Sequence, residues 1–236
     1  MTGLNKQSET CNQCLIRHES ICSQCPQEEL LLLEEIKTYR TFSKGEMISF
    51  TGKKMSHVGT LVTGIASVSK GLHDGREQIM GFLLPSDFIG QPHQHIAQYD
   101  IVAISKVVMC RFEINMFERF LANSPTLGPR LLKMVMNELD ATRDWMLLLG
   151  RKSATEKIAT LLHMIAVKSQ TLTNKKLPPT PKFTLPMTRE DLANYLGLTI
   201  ETVSRQLTKL RDNDVIAIKN NRQFTILNLA KLMELT

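Results

Sequence analysis

The chain has 236 residues, 42% of them hydrophobic and 22% charged, with a formal net charge of +6. This composition excludes a wholly disordered chain and is enough for one or two cored domains. No apolar run reaches the length of a membrane span and the amino terminus MTGLNKQSETC lacks a signal core, so a soluble, cytoplasmic protein is expected; the positive charge is compatible with a polyanionic partner.

The first informative stretch is CNQCLIRHESICSQC, Cys11 to Cys25, which places four of the five cysteines in fifteen residues. Two residues lie inside each outer pair and seven between the pairs; the fifth cysteine, Cys110, is remote. In a reducing compartment such clustering points to metal binding or redox work rather than structural disulfides. Spacing alone leaves zinc and an iron-sulfur cluster both open, since four thiolates suit either.

QEELLLLEEIKTYR then reads as a short helix, with Leu30, Leu31, Leu33 and Ile36 sharing one side. From about Phe42 to Phe112, short β-type runs alternate with glycines, and Asp74-Gly75 marks a hairpin between IASVSK and QIMGFLL. Many short strands with regular turns predict a jelly roll, with Cys110 in its last run. Phe117, Phe120 and Leu121 suggest a short helix, Pro125 interrupts, and Leu127 to Leu149 predicts a long helix capped by Gly150. Along it Leu131, Leu132, Val135, Met136, Leu139, Met146 and Leu149 recur at three- and four-residue steps. They fit an ordinary core face or a dimer helix whose interface would comprise Leu132, Val135, Met136, Leu139, Thr142, Arg143 and Met146. His93 and His95 read as solvated loop histidines, because no further ligand is near in sequence.

Ser153 to Val167 predicts another helix, and LTNKKLPPTPKFTLP a surface connection ending in a short strand. In TREDLANYLGLTIETVSRQLTKLRDNDVI, Thr188 can cap a helix facing inward with Leu192, Ala193 and Leu196. Gly197 permits a tight turn, and Thr199 can cap a second helix with Val203, Leu207 and Leu210 inward. That is a helix-turn-helix pattern, and the two β runs around Asn220-Asn221 add a wing. Glu201, Ser204 and Arg205 project from one face of the second helix, where Arg205 could read guanine, Glu201 cytosine and Ser204 a neighbouring base. Arg189, Thr199, Lys209, Arg211, Lys219 and Arg222 are candidate phosphate contacts.

Jelly roll, long helix and winged helix-turn-helix in that order resemble the CRP/FNR superfamily of bacterial transcription regulators over essentially the whole chain. LGLTIETVSRQL is similar to the FNR recognition helix, which has Glu, Ser and Arg at the places filled by Glu201, Ser204 and Arg205. LPSDFIG, ELDATRDWMLLLGRKSATEKIA and the cysteine spacing are similar to the FnrL-like branch of alphaproteobacteria. The resemblance implies an oxygen-responsive activator rather than an enzyme: a homodimer on a TTGAT-like inverted repeat, with RNA polymerase as a further partner. It also implies an oxygen-labile [4Fe-4S] cluster on Cys11, Cys14, Cys22 and Cys110, leaving Cys25 without a role. Family members that bind cyclic AMP carry Gly-Glu and then Arg-Ser or Arg-Thr in the jelly roll. Here Gln91-Pro92 follows Gly90 and Tyr99-Asp100 stands at the phosphate contact, so no cyclic nucleotide effector is expected.

The expected fold is α+β: a cysteine-rich segment over 1–29, a jelly-roll sensor over 30–125, a dimerisation helix over 126–150 and a winged helix-turn-helix over 151–236. Two alternatives stay open: a regulator of the same fold with structural zinc or a thiol redox switch, and an iron-sulfur electron-transfer protein with an incidental helix-turn-helix. Against the second, the sequence has no nucleophile-base constellation, no Gly-rich phosphate loop and no second cluster motif.

Overall fold

A computed structural model describes residues 10–75, 77–171 and 177–236, with side chains described for all of these except 168–171. Two short 3-10 turns, Cys11–Gln13 and Ile21–Gln24, lead into helix α1 (Gln27–Ile36). α1 buries Leu30, Leu33 and also Glu29, whereas Leu31 is exposed and the expected KTYR continuation is instead a strand. A helix repeats every 3.6 residues, so positions 29, 30 and 33 share the inward face and 31 falls outside it.

The jelly roll follows: β1 (Lys37–Phe42), β2 (Met47–Ser49), β3 (His57–Thr63), β4 (Ala66–Gly71), β5 (Glu77–Leu83), β6 (Phe88–Ile89), β7 (Asp100–Ala103) and β8 (Val107–Glu113). They form two four-stranded sheets, ordered β1-β8-β3-β6 and β2-β7-β4-β5. Side chains alternate between the two faces of a strand. Phe42, Leu61, Ile89, Val107 and Met109 therefore fill the space between the sheets with Ile101 and Ala103. Val58 and Phe112 instead face outward, onto a second core with Leu30, Leu33, Cys25, Phe117 and Leu127. Gly59 allows β3 and β8 to approach: a Cβ there would lie 2.1 Å from the Cys110 carbonyl oxygen.

Helix α2 (Ile114–Asn123) is capped by Glu113, whose carboxylate accepts from Met116 N–H. Helix α3 (Leu127–Arg151) runs straight through Gly150, where the sequence suggested an end. Its stop is set by the next helix, because Ser153 and Glu156 exchange capping hydrogen bonds, Ser153 N–H to Glu156 Oε2 and Glu156 N–H to Ser153 Oγ. The apolar positions of α3 also divide. Leu127 is buried and Leu131 and Met134 pack on the second core, while Leu132, Val135, Met136, Leu139 and Met146 are 40–68% exposed.

Helix α4 (Ala154–Thr171), strand β9 (Lys182–Thr184), helices α5 (Arg189–Leu196) and α6 (Ile200–Asp212), strands β10 (Ile216–Lys219) and β11 (Gln223–Ile226), and the short helix α7 (Leu229–Met233) complete the chain. The three strands form one sheet, ordered β10-β11-β9. The first five residues of the lysine- and proline-rich connection, 172–176, lie outside the described residues. The chain divides into two compact units, one of residues up to Lys70 with Met80–Asp140, the other of Gly71–Ile79 with Ala141–Thr236. The division falls within α3 rather than at its end.

Candidate metal centre and nucleic-acid interface

In the first unit the amino-terminal turns bring the remote cysteine its company. Cys110 sits on the outward face of β8, opposite Tyr39 of β1 and Thr60 of β3. Burial pushes its thiol up to about 12, and the thiols of Cys11, Cys14 and Cys22 add to that rise. Three amino-terminal sulfurs thus share one electrostatic neighbourhood with the fourth, 88 positions or more along the chain from it.

Two of these cysteines, Cys11 and Cys22, have polar company. Burial raises the Cys11 thiol and Lys37 opposes the rise, its ammonium donating to Cys11 Sγ at 3.6 Å. Cys11 N–H donates to Glu34 of α1 at 2.9 Å. Burial also raises Cys22, against a 3.1 Å contact between its Sγ and Ser20 Oγ. Thr60 Oγ1 is buried on the same face as Cys110 and has no hydrogen-bond partner among the described residues. A thiolate-held sulfide cluster offers acceptors to such a hydroxyl and to Lys37, so this donor set fits one. The sulfurs are gathered without being closed on a point: among the described residues no three His, Cys, Asp or Glu side chains converge as ligands of a single ion.

Cys25 has different surroundings. It is 4% exposed, packed in the second core, and its Sγ lies 3.7 Å from Thr126 Oγ1. Burial raises it to about 12, with Thr126, Glu29 and Cys22 as the groups that act on it. It is a core residue at the foot of α3.

That foot is also where the sequence reading missed a contact. Arg130 of α3 donates from Nε to Ser20 O at 3.2 Å and from Nη2 to Glu19 O, both in the loop between Cys14 and Cys22. One turn earlier, Thr126 donates to the buried Glu29 carboxylate. The cysteine segment is therefore strapped to the first turn of α3 at positions 126 and 130.

At the start of β7, where a cyclic phosphate contact would be sought, Asp100 Oδ1 accepts from Thr51 N–H at 2.7 Å. The carboxylate fixes the chain there and adds negative charge. His95 Nε2 and Glu118 Oε1 are 3.0 Å apart, and His93 N–H donates to the same oxygen, so these loop histidines share a carboxylate with α2.

In the second unit, local chemistry builds a helix-turn-helix. Thr188 and Asp191 form a reciprocal capping box on α5, and Gly197 closes it at φ 62° and ψ 43°. Such left-handed backbone is easy only for glycine. Thr199 caps α6 by accepting from Thr202 N–H. Leu192, Ala193, Leu196, Val203, Leu207 and Leu210 are all buried, and α5 packs on α6. Helix α4 holds both: Lys157 Nζ donates to Leu196 O and Thr155 Oγ1 to Gln206 Oε1. Asn220 and Asn221, with φ of 52° and 57°, turn β10 into β11 as the wing.

Glu201, Ser204 and Arg205 all lie exposed on α6, away from buried Val203 and Leu207. Between α6 and the wing runs a cleft of about 490 Å3 lined by Ser204, Arg189, Arg211, Arg222, Asn220 and Asn221 among others. Thr199 and Lys209 lie outside its lining; Lys209 is exposed and Thr199 is occupied as a cap. Arg189 stacks 5.6 Å over Phe224, and Arg211 pairs with Asp212 at 3.0 Å. Three arginines and two amide side chains converge beside an exposed helix face, a donor-rich, positively charged surface of the kind that can meet phosphates.

A β-roll followed by a long helix and a winged helix-turn-helix defines a DNA-binding transcription regulator of the sensor-plus-reader kind. Residues 156–235 match the Crp-like helix-turn-helix domain family and residues 39–124 the cyclic nucleotide-binding domain family. The chain is 46% identical to the transcriptional activator protein FnrL of Cereibacter sphaeroides, over 95% of this chain and 90% of that one. It is 38% identical to the nitrogen fixation regulation protein FixK of Bradyrhizobium diazoefficiens, over 88% and 86%. The solved structure of FixK2 from Bradyrhizobium japonicum superimposes with a TM-score of 0.75 and 31% identity, covering 85% of this chain and 97% of that one. The chain belongs to the CRP/FNR family of transcription regulators, in its FnrL-like branch, and is not an enzyme. No described helix is long and apolar enough to cross a membrane.

Proposed function

We propose that this protein is an oxygen-responsive transcription activator in which a [4Fe-4S] cluster on Cys11, Cys14, Cys22 and Cys110 governs dimerisation and binding to a TTGAT-like inverted repeat. The single observation that carries this reading is the placing of Cys110: Cys11, Cys14 and Cys22 lie within electrostatic reach of its thiol on the outward face of β8, and Cys25 is the most deeply packed of the amino-terminal four. When bound, such a cluster supplies a centre that oxygen destroys, so occupancy of the four thiolates reports on oxygen.

The chain's own residues convert occupancy into DNA affinity. Cys11, Cys14 and Cys22 would hold the cluster together with Cys110 and so tie the amino-terminal loop to β8, and the Glu19 and Ser20 carbonyls of that same loop accept from Arg130. Residues 132 and 139 lie about 200° and 180° around α3 from Arg130. Fixing one face of the helix thereby sets the opposite stripe of Leu132, Val135, Met136 and Leu139, which pairs with its twin together with Thr142, Arg143 and Met146. Pairing brings two copies of α6 to the two half-sites, where Glu201, Ser204 and Arg205 read bases. Arg189, Thr199, Lys209, Arg211 and Arg222 bind phosphates, and the bound dimer recruits RNA polymerase. The Asp100 carboxylate beside the phosphate position supports an effector other than cyclic nucleotide.

A thiol redox switch would require low-pKa, accessible sulfur. Burial here drives Cys11, Cys22, Cys25 and Cys110 the other way. The deciding experiment is an anaerobic preparation measured for iron, sulfide, zinc and visible absorbance before and after air, repeated on Cys110→Ser and Cys25→Ser. The proposal expects iron and sulfide in wild type and Cys25→Ser, and their loss in Cys110→Ser. Stoichiometric zinc, or cluster loss confined to Cys25→Ser, overturns it.

A further inference from the structure

Strand alternation gives the inner face of the β1-β8-β3 sheet an unusual gradient. On β1 the inward positions run Phe42, Arg40, Thr38; on β8 they run Val107, Met109, Arg111; on β3 they run Leu61, Gly59, His57. One end of the sandwich interior is thus apolar, and the other is lined with cations. Between them lies a cavity of about 310 Å3 with Phe42, Ile89 and Met109 as its floor and Arg40, His57 and Arg111 around its mouth. Lys53 and Lys54 stand on the same rim, and no carboxylate lines it. The other sheet and the loop after it contribute Met47 and Phe50, which are 40% and 51% exposed.

From this geometry we infer that the mouth of the jelly roll is a binding site for a small amphipathic organic anion, a carboxylate on a short hydrocarbon body. Arg40, Arg111, Lys53 and Lys54 line the mouth without a carboxylate among the lining residues, so its field favours an anion. Two carboxylates offset part of this charge, Glu46 at Arg40 and Glu113 opposite His57. Glu46 pairs with Arg40 at 3.2 Å and also accepts from Ser43 N–H, and Glu113 is spent on capping α2. Arg111 has only its Nε directed to Thr38 Oγ1, at 3.3 Å, so the terminal nitrogens of its guanidinium remain for a planar carboxylate. Burial first, then the charge on Arg111, holds the His57 imidazole below its ordinary pKa, in keeping with an excess of positive charge at the mouth.

The volume corresponds to about ten water-sized groups, and each non-hydrogen atom of a ligand needs roughly that share, so the body is short. The site is separate from the thiols. Arg111 faces inward, whereas Cys110, its chain neighbour, faces outward, so an anion here touches β8 from the side opposite the cysteines.

Calorimetric titration of the full chain with octanoate tests the inference, with octan-1-ol, octylammonium and inorganic phosphate as comparison probes. It needs no cluster, so it is independent of the reading of the cysteines. One-to-one octanoate binding is expected, at least tenfold tighter than octan-1-ol, octylammonium or phosphate. Arg111→Gln should weaken octanoate about tenfold or more, and Ser49→Trp, which fills the mouth from the other sheet without altering charge, should abolish it. Equal binding of octanoate and octan-1-ol, equal binding of phosphate, no heat at millimolar octanoate, or wild-type affinity in both variants each overturns the site.

Discussion

Arg130 is where cysteine ligation should become dimer affinity, so Arg130→Met is the most informative single change. Methionine keeps the length of the apolar stem, but it cannot donate to Glu19 O and Ser20 O. Hydrogen bonds from a charged donor contribute about 1.5–3 kcal/mol, and two to one loop act together rather than adding in full. Taking about 2–3 kcal/mol as the lost coupling, the dimer dissociation constant of cluster-bound protein should rise roughly 30- to 150-fold. Anaerobic sedimentation velocity over a concentration series measures this, with iron and sulfide assayed on the same sample. Arg130→Lys, which retains charge but not the two-pronged geometry, should fall between. An Arg130→Met protein with full iron and sulfide that dimerises like wild type would refute the strap as the route of coupling. One that loses iron in proportion to dimer would make Arg130 a support of the ligand loop only.

Two shorter predictions bear on the reader and on the fifth cysteine. Arg205→Ala should relax preference at one base pair by about 1–3 kcal/mol, whereas Lys209→Ala should weaken all sequences alike and flatten the salt dependence; binding to a set of singly substituted palindromes separates them. In metal-free protein at pH 8, Cys25 and Cys110, both raised to about 12, should alkylate far more slowly than Cys14 by peptide mapping with iodoacetamide. Because the unfolded thiols ionise near 9 and these two do not, the folded state holds more protons between about 9 and 12. Metal-free stability should therefore fall as pH rises through that window, which a denaturation series would record.

The reader was legible residue by residue because helix ends are local chemistry. Thr188, Gly197 and Thr199 each satisfy or release backbone within a few positions, and no distant part of the chain can override them cheaply. The jelly roll was legible as texture, from glycine spacing and Asp74-Gly75, but its registers were not, since pairing depends on strands far apart in sequence. The dimer stripe was half legible: Leu131 and Leu132 look alike in a periodic pattern, yet only the second core on the jelly roll's outer face decides that Leu131 packs inward. Gly150 misled because a helix end was sought in its own residues, whereas Ser153 and Glu156 of the following helix set it. Spacing could not partition the cysteines, for four thiols in fifteen residues can close on themselves; only the fold brings Cys110 to three of them. Arg130 left no trace at all, since a side chain that bonds to backbone carbonyls needs no particular residue opposite it.

The strap carries a further requirement that does not depend on its details. If cluster occupancy strengthens dimerisation and DNA binding by some factor, then DNA must strengthen cluster retention by the same factor, because both are differences around one closed thermodynamic cycle. A coupling of about 2 kcal/mol demands roughly 30-fold tighter retention in the DNA complex. Anaerobic equilibration of the holoprotein against an iron chelator, with and without a palindromic duplex, measures this from the residual visible absorbance. A scrambled duplex at the same salt controls for phosphate binding, which does not require two aligned readers. Equal retention with palindrome, scrambled duplex and no DNA would mean that the thiols and the readers are not coupled, whatever the oligomeric state. Retention raised by the palindrome in wild type but not in Arg130→Met would place the coupling in the contact between Arg130 and the carbonyls of Glu19 and Ser20.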